Sequence, residues 1–244
     1  MNLIQERTIY FMRIYKKSSV NMSEVEDGSV QLVVTSPPYP MIKKWDELFG
    51  SVDFYAQHSI LGEVWSECYR VLMEGGIACI NMGDATRSID KNFCCYPNYS
   101  KMTMDLFELG FTPLIPIMWR KISNKPNAFM GSGFVPTNGY VTQDCEFIGI
   151  YRKGRIRKFK VKDEDRYKSS FTKEERDVWF NQTWDVKGVA GAGKTSAFPK
   201  EIPYRLIRMF SVRKDVVLDP FCGQGTTGFV AESLNRDFIG YDIN

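Results

Sequence analysis

The sequence predicts an α/β fold: a doubly wound, mostly parallel sheet of seven strands in circularly permuted order, with a small inserted region. Three observations predict it. Apolar, β-branched runs alternate with helical patterns, which is the signature of a parallel sheet covered on both faces. A glycine-rich loop follows one strand directly and opens a helix, and an acid ends the next strand. That strand–loop–helix–strand unit closes the chain, whereas a doubly wound sheet normally begins with it, so its strands must join a sheet built by earlier residues.

In chain order, the first strand falls within 7–15 ("RTIYFMRIY") and the second within 30–36 ("VQLVVTS"), where two adjacent prolines end it. A proline pair removes two backbone donors and fixes φ twice, so neither strand nor helix continues through it. Amphipathic spacing gives a helix over 53–73 and the run "GIACINM" a strand over 76–82. A helix over 100–109 ends at Gly110, followed by strands over 111–119 and 145–152. The stretch 153–198 is the least periodic and reads as a small inserted region within a single domain spanning 1–244. The remainder is a helix over 201–211, a strand over 215–221, a helix over 226–235 and a strand over 237–243.

Composition narrows the function classes. Hydrophobic content of 43% and charged content of 25% are those of an ordinary globular domain with a buried core. Six cysteines without a C-x-x-C pair, and His58 as the one histidine, leave no ligand set for zinc, so no metal is expected. A single histidine within an amphipathic run also argues against Ser-His-Asp and Cys-His chemistry. With no signal peptide and no apolar stretch near membrane-spanning length, the chain reads as cytoplasmic and reduced. The net charge of +3 is too small to establish a polyanionic partner, but over 151–168 nine Lys/Arg face three acids, a local basic patch.

The glycine loop carries the first chemistry. In "DVVLDPFCGQGTTG", Gly223, Gly225 and Gly228 have the spacing of a nucleotide-binding turn, with Thr226 and Thr227 opening the helix. Asp242 lies 19 residues past Gly223 (242 − 223), at the end of the next strand, where a carboxylate accepts from ribose hydroxyls. Asp219 stands ahead of the loop, where it would repel a phosphate and attract an ammonium group. That favours S-adenosyl-L-methionine over a dinucleotide. The segment 188–195, "GVAGAGKT", also fits a phosphate-binding loop, but Pro199 stops the helix that such a loop requires.

With "TSPPYP" near the start and "DPFCGQGTTG" near the end, the chain resembles the permuted (β-group) amino-methyltransferases of DNA from prokaryotic restriction–modification systems. The stretches 67–84 and 198–227 add to the resemblance, which covers nearly the whole chain. It implies a methyltransferase (Rossmann-like) sheet with the strand 30–36 beside the strand 215–221. Ser36, Pro37, Pro38 and Tyr39 occupy the family's active-site motif. Phe221, Gly223, Gly225 and Asp242 occupy cofactor positions, Asp219 lies near the methionine part, and Phe198 and Pro199 line the approach to the pocket. The family's acid for the cofactor adenine has no counterpart in 14–22, which leaves a backbone carbonyl, Ser18 or Ser19 for that role.

The chemistry implied is direct displacement at a sulfonium methyl by an exocyclic amino nitrogen, for which alignment matters more than a strong base. The Ser36 hydroxyl and the Pro37 carbonyl would accept the amino hydrogens while Tyr39 stacks on a base flipped out of duplex DNA. Serine at the first motif position resembles the members acting on N4 of cytosine; N6 of adenine is the alternative. Lys121, Lys125 and Asn127 in the loop 120–140, and Arg155, Arg157 and Lys158 in the basic stretch, are the expected DNA contacts, with target recognition placed in 153–198. For Trp179 and Trp184 the competing reading is a packed cap over the sheet edge. The expected partners are double-stranded DNA and, as a candidate, a cognate restriction endonuclease. No membrane partner is expected, and the protein is read as a monomer or homodimer in the nucleoid-associated cytoplasm. An RNA methyltransferase and a non-catalytic nucleic-acid-binding module are the competing readings.

Overall fold

The computed structural model describes residues 11–121, 141, 143–189 and 198–243. The strands are β1 (Met12–Lys16), β2 (Val30–Thr35), β3 (Leu72–Met82), β4 (Ala85–Ile89), β5 (Asn92–Tyr96), β6 (Phe111–Pro113), β7 (Ile117–Arg120), β8 (Cys145–Lys153), β9 (Thr183–Asp185), β10 (Val216–Asp219) and β11 (Asp237–Asp242). The helices are α1 (Asp46–Phe49), α2 (Phe54–Val71), α3 (Asn98–Glu108), α4 (Glu164–Lys168), α5 (Lys173–Trp179), α6 (Glu201–Phe210) and α7 (Thr226–Ser233). No helix among the described residues is long and apolar enough to cross a membrane.

Among the described residues, nine strands form the main sheet, in the order β1-β11-β10-β2-β3-β8-β7-β9 with β6 also on β8. The five from β1 to β3 are parallel, and β8 runs antiparallel to β3. The permuted order is therefore present: β1, from the start of the chain, pairs with β11 at its end. Two strands exceed the expected seven. The run 111–119 splits in two because Pro113 and Pro116 carry no N–H for the ladder, and Thr183–Asp185 adds a short parallel edge on β7.

Alternation along the central strands divides the core between two faces. Val33, Leu218 and Ile239 point toward α2 and α3 with Trp65, Leu61 and Met102. Leu32, Val34, Val217 and Phe238 point toward α6 and α7 with Leu206, Ile202 and Val230. At Gly228 in α7 a Cβ would lie 2.7 Å from the Phe238 ring, so only glycine lets that helix sit so close to β11. Trp179 and Trp184 are buried in the second face, as the packed-cap reading has it.

Strand β3 begins four residues before the expected 76 and absorbs a register shift against β2 between Val30 and Leu32. At Gly75 (φ +80°) a Cβ would fall 2.5 Å from the Arg157 backbone nitrogen. The 155–157 segment therefore crosses the sheet at the amino end of β3.

Candidate active site

The chain leaves β10 to one side, through α7 to β11, and leaves β2 to the other, through α2 to β3. The crevice outside the carboxyl ends of β10 and β2 is the switch point at which open α/β sheets bind ligands. Both sequence motifs sit there: 220–225 follows β10 and 36–40 follows β2.

On the β10 side, Gly223 and Gly225 adopt left-handed φ of +47° and +79°. The Gly223 N–H donates to Asp242 Oδ2 at 2.9 Å, which fixes the carboxylate at the end of β11 against the loop. A Cβ at Gly223 would meet only that oxygen, at 4.0 Å, so the loop presents bare backbone beside an acid. That donor and acceptor set fits a ribose and its neighbouring polar groups. Phe221 is half-buried, edge-on to Trp65. Thr226 opens α7, and Phe198 and Pro199 lead into α6, where Pro199 carbonyl accepts from Ile202 N–H. Ser18 and Ser19 follow the carboxyl end of β1 on the same side of the sheet.

Asp219 does not face outward as expected. It is 2% exposed, and accepts from Thr35 Oγ1 at 2.6 Å, Thr227 Oγ1 at 2.7 Å and Phe221 N–H at 3.1 Å. Burial raises its pKa to about 6 despite those three donors, and the Asp242 charge adds to the rise. The carboxylate ties the catalytic-motif strand to the glycine loop.

On the β2 side, Pro37 and Pro38 are buried and Ser36 and Tyr39 half-buried. Ser36 Oγ lies 3.1 Å from Tyr39 Oη. Tyr39 Oη donates to Glu146 Oε2 at 2.9 Å, and Asn81 Nδ2 donates to Tyr39 Oη and to Glu146 Oε2, both at 2.7 Å. Lys121 Nζ pairs with the other Glu146 oxygen. Burial, then the Glu146 charge, pushes the Tyr39 phenol well above its usual range. At Gly83 a Cβ would come within 2.9 Å of Tyr39 Cε2, so the backbone there packs directly on the ring.

The far end of the motif is held as firmly. Asn98 Nδ2 donates to the carbonyls of Pro40 and Gly83, at 2.9 and 3.1 Å. The Met41 N–H donates to Gln57 Oε1 at 2.6 Å, and Met41 holds a left-handed φ of +65°. A buried methionine in that region stores strain that only a fixed surrounding sustains.

Sequence reasoning missed Asn81, Glu146, Thr35 and Asn98. The available signals were an acid inside the apolar run 145–152 and an asparagine inside 76–82. Lys121, expected on DNA, belongs to this network. The basic stretch is not brought to the site: Arg157 donates bidentately to Asp215, at 2.7 and 2.9 Å, and lies over the Phe159 ring. Asp215 precedes the amino end of β10, and the Arg155 N–H donates to Glu74 near the amino end of β3, so the 155–157 segment lies at the amino ends of the strands, opposite Ser36 at the carboxyl end of β2. Within 153–189 the chain packs down on α6: Arg208 bonds Glu175 and the Ser170 carbonyl, and Ser169 Oγ accepts from Arg213 N–H. Lys125, Asn127 and most of the glycine segment 188–195 lie outside the described residues.

Known proteins similar to this chain identify its family. The family model described as DNA methylase matches residues 30–244. The Type II methyltransferase M.MjaI of Methanocaldococcus jannaschii is 50% identical, over 91% of this chain and 84% of its own. M.MthZI of Methanothermobacter thermautotrophicus is 43% identical, over 95% and 73%. Among solved structures, TTHA0409 of Thermus thermophilus, complexed with S-adenosyl-L-methionine, superposes with a TM-score of 0.79 and 31% identity over 96% of this chain and 90% of that one. The PvuII cytosine-N4-specific DNA methyltransferase shares the fold, with a TM-score of 0.70 at 16% identity over 96% and 84%.

Proposed function

The chain belongs to the DNA methylase family and is an S-adenosyl-L-methionine-dependent DNA methyltransferase, and from that premise we propose that it methylates N4 of a flipped cytosine in duplex DNA. The observation that carries the reading is the junction of β10 and β2, where the glycine loop and Ser36–Tyr39 face one crevice and share Asp219 as a common anchor. The bound cofactor supplies an electrophilic methyl on a sulfonium.

This chain's residues supply position. An exocyclic amino nitrogen is a poor nucleophile because its lone pair is delocalised into the base. Two acceptors, Ser36 Oγ and the Pro37 carbonyl, would draw its hydrogens out of the ring plane and direct the lone pair at the methyl. The proline pair leaves no N–H to compete for either acceptor. Tyr39, held by Gly83 on one side and by its hydroxyl, offers the rest of its ring to the base. Gly223, Gly225, Phe221 and Asp242 would hold the nucleoside, with Phe198 and Pro199 at the approach.

Cytosine is favoured over adenine by serine, rather than an acid, at the first motif position. The likeness to Type II methyltransferases supports a site-specific role beside a cognate endonuclease. The test is incubation of the purified protein with duplex DNA and labelled cofactor, followed by nucleoside analysis. The expected product is N4-methylcytosine. Label in N6-methyladenine alone overturns the choice of base, and no label in any duplex overturns the methyltransferase reading.

A further inference from the structure

Hydrogen positions around Ser36 follow from a single group. Glu146, whose Oε1 is paired with Lys121, is an acceptor with no proton to give. Its Oε2 accepts hydrogen bonds from Tyr39 Oη at 2.9 Å and from Asn81 Nδ2 at 2.7 Å. The second Asn81 hydrogen goes to Tyr39 Oη at 2.7 Å. Because Tyr39 has spent its proton on Glu146, the 3.1 Å contact between Tyr39 Oη and Ser36 Oγ has only one proton left to form it, that of Ser36. Ser36 therefore donates inward. The contact from Asn81 to Ser36 Oγ, at 3.4 Å, is too long to occupy its lone pairs strongly.

Resting on the amino-methyltransferase reading, the geometry points to Glu146 as a positioning residue that sets the direction of the chain Ser36 → Tyr39 → Glu146 and so turns the Ser36 lone pairs toward the target amino group. A second observation agrees. This orientation of Asn81 leaves its Oδ1 buried and without a partner among the described residues, and Asn81 is 2% exposed. An orphaned buried acceptor is costly, because it has given up its hydrogen bonds to water without gaining a partner. Flipping the amide would relieve it only by aiming an oxygen at the Glu146 carboxylate, so the carboxylate dictates the arrangement.

Replacing the carboxylate by an amide of the same shape reverses the argument. A glutamine nitrogen at that place accepts neither from Tyr39 Oη nor from Asn81 Nδ2, so the tyrosine hydroxyl loses its fixed acceptor, the Asn81 amide must turn, and nothing then holds the Ser36 proton inward, away from the amino hydrogens it must accept.

The experiment is E146Q, Y39F and the double variant, with kcat on duplex DNA and the Kd for S-adenosyl-L-methionine measured for each. E146Q is expected to lose at least about tenfold in kcat with its cofactor Kd within twofold of wild type. In the Y39F background, where no hydroxyl carries the chain, E146Q is expected to add less than about twofold. Wild-type kcat in E146Q, multiplicative defects in the double variant, or loss of cofactor binding by E146Q would each overturn the assignment. If the wild type itself methylates no duplex, it is the functional reading that has failed; if the wild type is active and E146Q equals it, that reading stands and Glu146 has no such role.

Discussion

Thr35 and Asp219, the last residues of neighbouring parallel strands, share a buried hydrogen bond of 2.6 Å between Oγ1 and Oδ1. The bond spans 184 residues of chain and joins the residue before Ser36 to the carboxylate that anchors the glycine loop. On the proposed reading, one acid thereby fixes the spacing between the methyl donor's cradle and the acceptors for its target. In-line displacement is sensitive to that spacing, since a misplacement near 1 Å costs on the order of 10²-fold in rate.

Replacing Thr35 by valine keeps the shape and removes the donor. Asp219 then keeps two of its three partners while remaining buried, a loss of about 1–3 kcal/mol. The expected T35V protein folds, unfolds at lower urea, and loses more in kcat than in cofactor affinity. Urea titration and a single-turnover methylation assay measure the two effects.

The positions of these motifs were legible because strand periodicity and proline or glycine punctuation are local properties. The joining of the closing unit to a sheet built by earlier residues was legible from the motif order, and the adjacency of β2 and β10 came from the family resemblance; the assembled order is β1-β11-β10-β2-β3. The partners of the motif residues were not legible. Glu146 is 107 residues from Tyr39 and Thr35 is 184 from Asp219, and such pairings exist only once the sheet is assembled. The basic stretch misled for the same reason. Arg157 reads as a DNA contact by charge, yet Gly75 lets its backbone cross β3 and deliver the guanidinium to Asp215.

That placement predicts a structural phenotype for R157A. Asp215 is 4% exposed and also accepts from Val212 N–H, so it cannot follow the lost arginine into water. Breaking a buried pair from one side costs about 3–5 kcal/mol, toward the lower figure here because the arginine is partly solvated. R157A is expected to lower the melting temperature, while R155A and K158A leave the KM for DNA within about twofold of wild type. A selective rise in KM with those two exposed residues would show that the amino-end face of the sheet meets DNA after all.

Gly83 provides a test of Tyr39 that leaves its hydroxyl in place. In G83A the new methyl would sit 2.9 Å from Cε2 and 3.1 Å from Glu146 Cγ, so the ring and the carboxylate must both move. Overpacking of this kind costs about 1–3 kcal/mol. Methylation is expected to fall at least about tenfold with cofactor binding retained, read by isothermal titration against the rate assay. Full activity would mean that the position of the ring is not critical.

Two buried groups give stability opposing pH dependences. Burial lowers the His58 pKa below 6.5, against smaller upward pulls from its bond to Asn98 and the Asp105 charge and a smaller downward one from Lys101. The folded state then binds fewer protons than the unfolded one. Its contribution is present above about pH 6.5 and is lost as pH falls through the lowered folded value. Asp219 acts in the other sense. Raised from 3.8 to about 6, it binds more protons folded than unfolded, so its contribution is present below about pH 4 and lost as pH rises through 6. Over that span the difference amounts to about 3 kcal/mol. Urea unfolding of the wild type, H58Q and D219N between pH 4 and 8 separates the two. H58Q is expected to flatten the loss on the acid side. D219N carries no titrating group, so its stability relative to wild type is expected to rise with pH through 6. A difference between D219N and wild type that stays constant from pH 4 to 8 would mean that the Asp219 carboxyl titrates alike in the folded and unfolded chain.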